Sequence, residues 1–378
     1  MIVNLVVIFL ILIIGHFFNR IYKLNSDTNY VRKKYIKFIC VILILQSGLR
    51  NVAVGEDTYN YFNTYRNIKT KTWVDIYNTA IEYYKTGNSL IRDPGYAFFQ
   101  KTVQLISKDF QFFLFVIAII FFSAFGTFVY RNTKRLKDVI LAFLIYSVLF
   151  YSFFSYTGQR QTIATALILV SYEFIKKKKI LPFLFLVLIA STIHKSALIF
   201  IPFYFINQIK KTKNFYRIVL LLFPIIMVYS NNLANFFIIL GGYELYNQYE
   251  GAGSYTFTTI FLVISVVALL RSKIILKHNP NAQHYYNAFA IALLFLPLTW
   301  FNPSAMRVVQ YFSIFMVLFI PEIIHSFNHI SVKIGVSIAK FTIILLIILF
   351  IKSNWNNSMP YGFFWEDMHL PGNYYLRG

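Results

Sequence analysis

A single cysteine, Cys40, occurs in 378 residues, and it falls inside an apolar run. No intrachain disulfide and no cysteine-based metal site can be built from it. Acid is scarce as well: Asp and Glu number 14 against 36 Lys and Arg, and only 13% of residues are charged. There is no Gly-rich phosphate loop, dinucleotide fingerprint, metal-ligand spacing or internal repeat, which argues against energy coupling through ATP. Long polar stretches are missing too. The longest, Arg50–Asp93, is too short and too interrupted to bury a core of its own. Apolar residues are what the chain has: 58% are hydrophobic, with 42 Phe and 28 Tyr.

Those residues are gathered in about ten or more runs that approach membrane length, a span needing about 20 apolar residues. Short cytoplasmic loops carry an excess of Lys and Arg. The run Ile2–Phe18 is followed by Arg20, Lys23, Arg32, Lys33 and Lys34, which places its far end in the cytoplasm and the N-terminus outside. Nothing basic precedes it, so it does not read as a cleavable signal peptide. Later basic clusters are Arg131/Lys134/Arg135/Lys137, Lys176–Lys179, Lys210/Lys211/Lys213/Arg217 and Arg271/Lys273/Lys277. Each lies an even number of spans from the first if residues 96–108, with Gln100, Lys101, Gln104 and Lys108, form a re-entrant or interfacial helix.

The expectation is an all-α polytopic membrane protein of about twelve transmembrane helices, both termini outside. Residues 1–378 form a single integral membrane domain, and residues 50–109 an outer loop with short interfacial or re-entrant helices. The formal charge of +22 then reflects anchoring and contact with membrane lipid heads, not nucleic acid. Most of the Tyr and Phe are expected to face lipid or to form interfacial belts. Sorted by side, Arg50, Asp57, Arg92, Asp93, Arg160, His194 and Arg307 fall on the outer face. Cytoplasm-facing loops hold little but Lys and Arg.

Four outer constellations carry chemistry. In Arg50-Asn-Val-Ala-Val-Gly55-Glu56-Asp57-Thr58, Gly55 permits a tight turn and Asp57 or Thr58 can cap a helix beginning near Tyr59. A capped surface helix explains this run; so does a carboxylate held beside Arg50, with Tyr59, Tyr61 and Tyr65 facing a sugar. In Arg92-Asp93-Pro94-Gly95 the turn places Asp93 at a helix start, where the dipole favours an acid. Arg92 is a solvated charge or a phosphate ligand.

Thr157-Gly158-Gln159-Arg160-Gln161 opens a helix running to Ile175. An arginine there opposes the dipole. An anion bound at that end would accept from free backbone N–H groups, from Arg160 and from Gln159 and Gln161; snorkelling to lipid phosphates is the alternative. The fourth run, Ser191-Thr-Ile-His194-Lys-Ser196, joins two short apolar segments. From Ile180 to Ile193 a helix covers about 21 Å, which leaves His194 about 10 Å below the outer surface. Polar backbone at that depth lies beside protein or a wet cavity, and a histidine there is a functional candidate, with a hydrogen-bonded structural role as the alternative. Arg307 opens a further span at its outer end.

Val54-Gly55-x-Asp57-Thr58-x-x-Tyr61, Asp93-Pro94-Gly95-Tyr96, Arg160-Gln161-x-x-Ala164 and His194-x-Ser196-Ala197-x5-Pro202 appear in order. Arg307 with Tyr311-Phe312, and Met359-Pro360-Tyr361, continue the series. This set resembles the EpsG-like branch of the Wzy-type polysaccharide polymerases and covers most of the chain. Glu56 stands where a small or hydroxyl residue is expected, and Asp93 replaces the more usual Glu; both leave a group of the required charge in place.

The resemblance implies a fold related to the membrane glycosyltransferases of GT-C type, and a polymerase in the bacterial cytoplasmic membrane. Such an enzyme moves a growing glycan from undecaprenyl pyrophosphate onto the non-reducing end of a lipid-linked repeat unit at the outer, periplasmic or extracellular, face. It implies no metal and no cofactor, with arginines in place of a cation, and partners that include flippase and chain-length regulator proteins. Arg160 and Arg307 are then expected on the pyrophosphate, with Arg50 and Arg92 as further ligands. His194 or Asp57 serves the acceptor hydroxyl. A ligase or acyltransferase shares such an outer-face layout. A flippase or transporter would bury charge along whole spans, which these spans lack away from their outer ends.

Overall fold

The computed structural model describes residues 1–24, 28–86, 93–208, 212–241, 255–355 and 361–367. Helices α1 (Ile2–Leu24) and α2 (Thr28–Gly48) lead to three short ones, α3 (Thr58–Ile68), α4 (Trp73–Thr86) and α5 (Pro94–Gln104). The chain then turns into α6 (Phe110–Asn132) and α7 (Leu136–Leu149). A π-helical stretch, Ser152–Thr157, precedes α8 (Gln159–Lys176) and α9 (Ile180–Ile193). A 3-10 turn, Lys195–Phe200, merges into α10 (Ile201–Ile206). Next come α11 (Thr212–Val228), α12 (Ser230–Gly241), α13 (Tyr255–His278) and α14 (Ala282–Phe295). Last are α15 (Met306–Ser313), α16 (Met316–Phe327) and α17 (Val332–Asn354). Among the described residues the only β pairing is an isolated bridge between Arg50 and Phe363.

The molecule is an all-helical membrane protein. Among the described residues four helices are long and apolar enough to cross a bilayer: Ile2–Tyr22, Phe110–Asn132, Tyr255–His278 and Val332–Asn354. Two pairs bent by 88° and 56°, Thr212–Val228 with Ser230–Phe236 and Pro303–Ser313 with Met316–Phe327, raise the number to six. The expected twelve included spans such as α9, which keeps the anticipated Ile180–Ile193 bounds but at 14 residues is short of a full crossing.

Charged contacts gather at the two ends of the bundle, because the helices carry almost no charge along their length, and the polar contacts between are made by neutral groups such as Tyr35 to the carbonyl of Ile11 and Tyr216 to that of Ser265. Helices α2 and α6 pack together, and α6 covers about 34 Å at 1.5 Å per residue. At one end Gln111 donates to the carbonyl of Arg50 (3.2 Å). At the other, Arg32 donates to the carbonyls of Tyr130 (2.7 Å) and Thr133 (2.6 Å). The Arg32 end is not purely basic, contrary to expectation. It also holds Glu173, bridged to Lys176 at 2.7 Å, Asp138 against His325 at 2.5 Å, and Glu322 bonded to Asn279. Glu173 pairs within α8, whereas Asp138 and Glu322 meet partners far away in the chain. Between the ends lie packed rings, among them Phe121, Phe125, Tyr146 and Phe154.

Candidate active site

Four helices begin at the end of the bundle that carries Arg50, and each start bears a charge. Asp57 and Asp93 are the N-cap residues of α3 and α5. Arg160 and Arg307 are the second residues of α8 and α15. Helix starts offer unsatisfied N–H groups and the positive end of the dipole, so their convergence makes an environment suited to an anion.

The entry to α3 is locked by its turn. Gly55 has φ +97°, and a Cβ there would lie 2.6 Å from the carbonyl oxygen of Tyr156. The Thr58 hydroxyl donates to the carbonyls of Val54 (2.7 Å) and Tyr156 (2.8 Å). Asp57 makes no side-chain capping bond. Its carboxylate instead stands 3.9 Å from Nη2 of Arg307, and both side chains are about one-third exposed, at 37% and 29%.

Asp93 also leaves the cap position unused, and its backbone adopts the left-handed conformation at φ 30°. One carboxylate oxygen lies 2.7 Å from Nη1 of Arg160, and the other accepts from the backbone N–H of Lys195 at 3.1 Å. The residue thus bolts the starts of α5 and α8 to the link that follows α9. Gly95 brings α5 hard against the last turn of α9, since a Cβ would run into Oγ1 of Thr192. Asp93 thus stands at the helix start as expected, and a long-range ion pair is added there. Only 11% of either side chain in this pair is exposed.

Tyrosine and glutamine complete the wall. The Arg160 guanidinium sits 5.8 Å from the Tyr61 ring centroid, and Tyr61 meets Tyr96 edge to face at 5.8 Å. Tyr96 donates to Oε1 of Gln159 at 3.2 Å, and Gln161 donates to the carbonyl of Arg307 at 2.5 Å. Asp57, Tyr61, Tyr96, Arg160 and Arg307 all line one cleft of about 440 Å³.

His194 stands behind this wall. It is 7% exposed, does not line the cleft, and its Nδ1 lies 3.3 Å from the Ser196 hydroxyl, which lies 3.3 Å from that of Tyr311. Burial, then the nearby charges of Arg160 and Arg307, hold its pKa well below the ordinary imidazole value, so it is neutral. Arg50 also lies apart from the cleft. It is 2% exposed, donates to the Ser47 carbonyl and hydroxyl, and has its pKa pushed down to about 10 by burial. Arg92 falls outside the described residues, as do Met359 and Pro360.

The sequence places Asp93 at an outer helix start but does not reveal its pairing with Arg160, and it gives no role to Gln100 and Lys71, which line the cleft. The left-handed turn before Pro-Gly was the available signal for Asp93. For the other two no local pattern existed. Among the described residues no group of three or more His, Cys, Asp or Glu is placed to hold a metal ion.

These features define an all-helical membrane protein with a charged cleft assembled from helix starts at one end. Over residues 33–365 the chain matches the EpsG family, and it belongs to that family. Membership goes with a polysaccharide-polymerase-like function. No curated protein and no solved structure matches the chain.

Proposed function

We propose that the protein is a Wzy-type polymerase of lipid-linked repeat units, with about twelve spans in a GT-C-like arrangement and its cleft at the outer face of the bacterial cytoplasmic membrane. It transfers a growing glycan from undecaprenyl pyrophosphate to the non-reducing end of an incoming repeat unit. The observation that carries this reading is the convergence of four helix starts, two arginines and one cleft-lining carboxylate.

In this mechanism the donor pyrophosphate lies against Arg307 and Arg160. Arg307 makes the looser and more exposed pair, at 3.9 Å against 2.7 Å, and is the first to exchange its carboxylate partner for phosphate. The acceptor hydroxyl oxygen attacks the anomeric carbon, whose bond to the pyrophosphate oxygen breaks. The electron pair leaves on undecaprenyl pyrophosphate, where the guanidiniums and helix N–H groups stabilise the growing charge. The hydroxyl proton passes to Asp57, which lines the cleft, whereas His194 does not. A neutral His194 behind the arginines adds no charge and orients its neighbours. A flippase delivers the substrate and a chain-length regulator acts on the product.

Glycan analysis of a deletion strain tests the reading. The expected outcome is surface glycan reduced to a single repeat unit. Complete loss of attachment indicates a ligase, and substrate trapped on the inner leaflet indicates a flippase.

A further inference from the structure

Helices α3 and α5 start together at the charged end and run away from it side by side. Asp57 and Asp93 stand at their starts, and the Tyr61 and Tyr96 rings meet about one turn further on. At the end of α3 and just beyond it, Lys101 of α5 donates to the carbonyls of Ile68 (3.3 Å) and Lys71 (2.6 Å). The cleft follows one face of α3, with Asp57, Asn60, Tyr61, Thr64 and Ile68 at helical three- and four-residue spacing. From Asp57 to Ile68 this face extends about 17 Å at 1.5 Å per residue.

Charge is not spread evenly along that length. The two arginines and Asp57 occupy the start, and Lys71 marks the far end. Between them the polar lining groups are neutral amides and hydroxyls, Asn60, Thr64 and Gln100, with Thr79 of α4, set among apolar Ile68, Ile76, Pro94 and Ala97. Asn60 and Thr64 are exposed into it. Gln100 is 1% exposed beside Tyr96, yet among the described residues its amide nitrogen completes no hydrogen bond of normal geometry. A buried donor left unpaired costs about 1–3 kcal/mol, and native folds rarely keep one without a ligand or water to receive it. Neutral amides and hydroxyls beside tyrosine match the hydroxyls and apolar faces of sugar rings.

We infer that this stretch is a glycan track holding the acceptor repeat unit along α3. Its non-reducing end lies at Asp57 and its following rings lie toward Lys71, recognised by Asn60, Thr64 and Gln100. The orientation rests on the polymerase reading, because Asp57 must face the attacking hydroxyl. The binding of neutral oligosaccharide does not require turnover.

The test uses the purified full chain in lipid nanodiscs and two probes. One is the repeat-unit oligosaccharide of a strain carrying the gene, released from its lipid and free of phosphate. The other is undecaprenyl pyrophosphate. Gln100→Leu, which keeps the side chain's bulk, and the exposed changes Asn60→Ala and Thr64→Ala should each weaken oligosaccharide binding about fivefold, the worth of one hydrogen bond. They should leave affinity for undecaprenyl pyrophosphate unchanged, while Arg307→Ala should show the reverse pattern. Native-like oligosaccharide binding in all three track variants, or no saturable binding by the unaltered protein at millimolar concentration, overturns the inference. A deletion strain that still makes polymer overturns the polymerase reading alone.

Discussion

At the residue scale, the two acids of the site have different work although both sit at N-caps. Asp57 is one-third exposed in the cleft, while Asp93 is tied to Arg160 and to Lys195 N–H. Asp57→Asn should therefore lower polymerisation by about 10²–10⁴-fold, the usual contribution of a general base, with the fold intact. His194→Gln should keep most activity, because an amide can replace a neutral imidazole as a hydrogen-bonding orienter. An assay of purified protein with defined lipid-linked repeats separates the two, and loss confined to the His194 variant would transfer the proton to the imidazole. Asp93→Asn leaves a buried guanidinium without its counter-charge, which should cost about 3–5 kcal/mol. Inorganic pyrophosphate should then raise the melting temperature of this variant more than that of the native protein, since a ligand that restores the charge balance stabilises by linkage. Equal shifts in both would show that Arg160 does not meet phosphate.

At the element scale, close packing at glycine holds the site in place. A Cβ on Gly95 would run into Thr192 Oγ1 and lie 2.8 Å from its backbone carbonyl carbon, so no side-chain rotation relieves it. Gly95→Ala should lower stability by about 1–3 kcal/mol through overpacking and separate Asp93 from Arg160. At Gly158 the nearest atom to a Cβ is 3.4 Å away, an ordinary contact, so Gly158→Ala serves as the stability control. Thermal unfolding in detergent reads both; matching midpoints would refute the packing argument. Element starts were legible in the sequence where they follow local rules. A helix opening around Arg160, a short helix from near Tyr59 and a short α9 came from turns and the length of an apolar run, and α8 begins at Gln159 and α3 at Thr58, the latter without the expected cap from Asp57. Contacts that join distant elements were not legible. Asp93 meets Arg160 across 67 residues, and Arg50 turns inward to Ser47, not toward Asp57. Periodicity reports which face is apolar, but nothing in it reports which polar tip meets which.

At the scale of the whole molecule, the proposed function puts the charged cleft and the Arg32 end on opposite sides of the membrane. Thr133, Thr212 and Asn302 are buried, which makes them poor reporters of sidedness. Asn78, Lys195, Lys134 and Lys177 are exposed. In a Cys40→Ser background, cysteines at Asn78 and Lys195 should react with an impermeant thiol reagent added to intact cells. Those at Lys134 and Lys177 should react only after the membrane is opened. Labelling in the opposite order would put the cleft in the cytoplasm and end the proposal of an outer-face polymerase.

The tether between the two chain regions beside Arg50 has a consequence for how the protein is made. Asn51 donates through its side chain to the carbonyl of Phe363, 312 residues away, and its backbone N–H donates to Gly362. Phe364 donates back to Leu49. At about 5–20 residues per second of synthesis, the segment leading to Asp57 waits roughly 15–60 s for its partner to emerge. Helices α1 and α2 are thus made long before the segment that follows them is fastened to residues 362–364, and the approach to Asp57 acquires this support only after the rest of the helical bundle has been made.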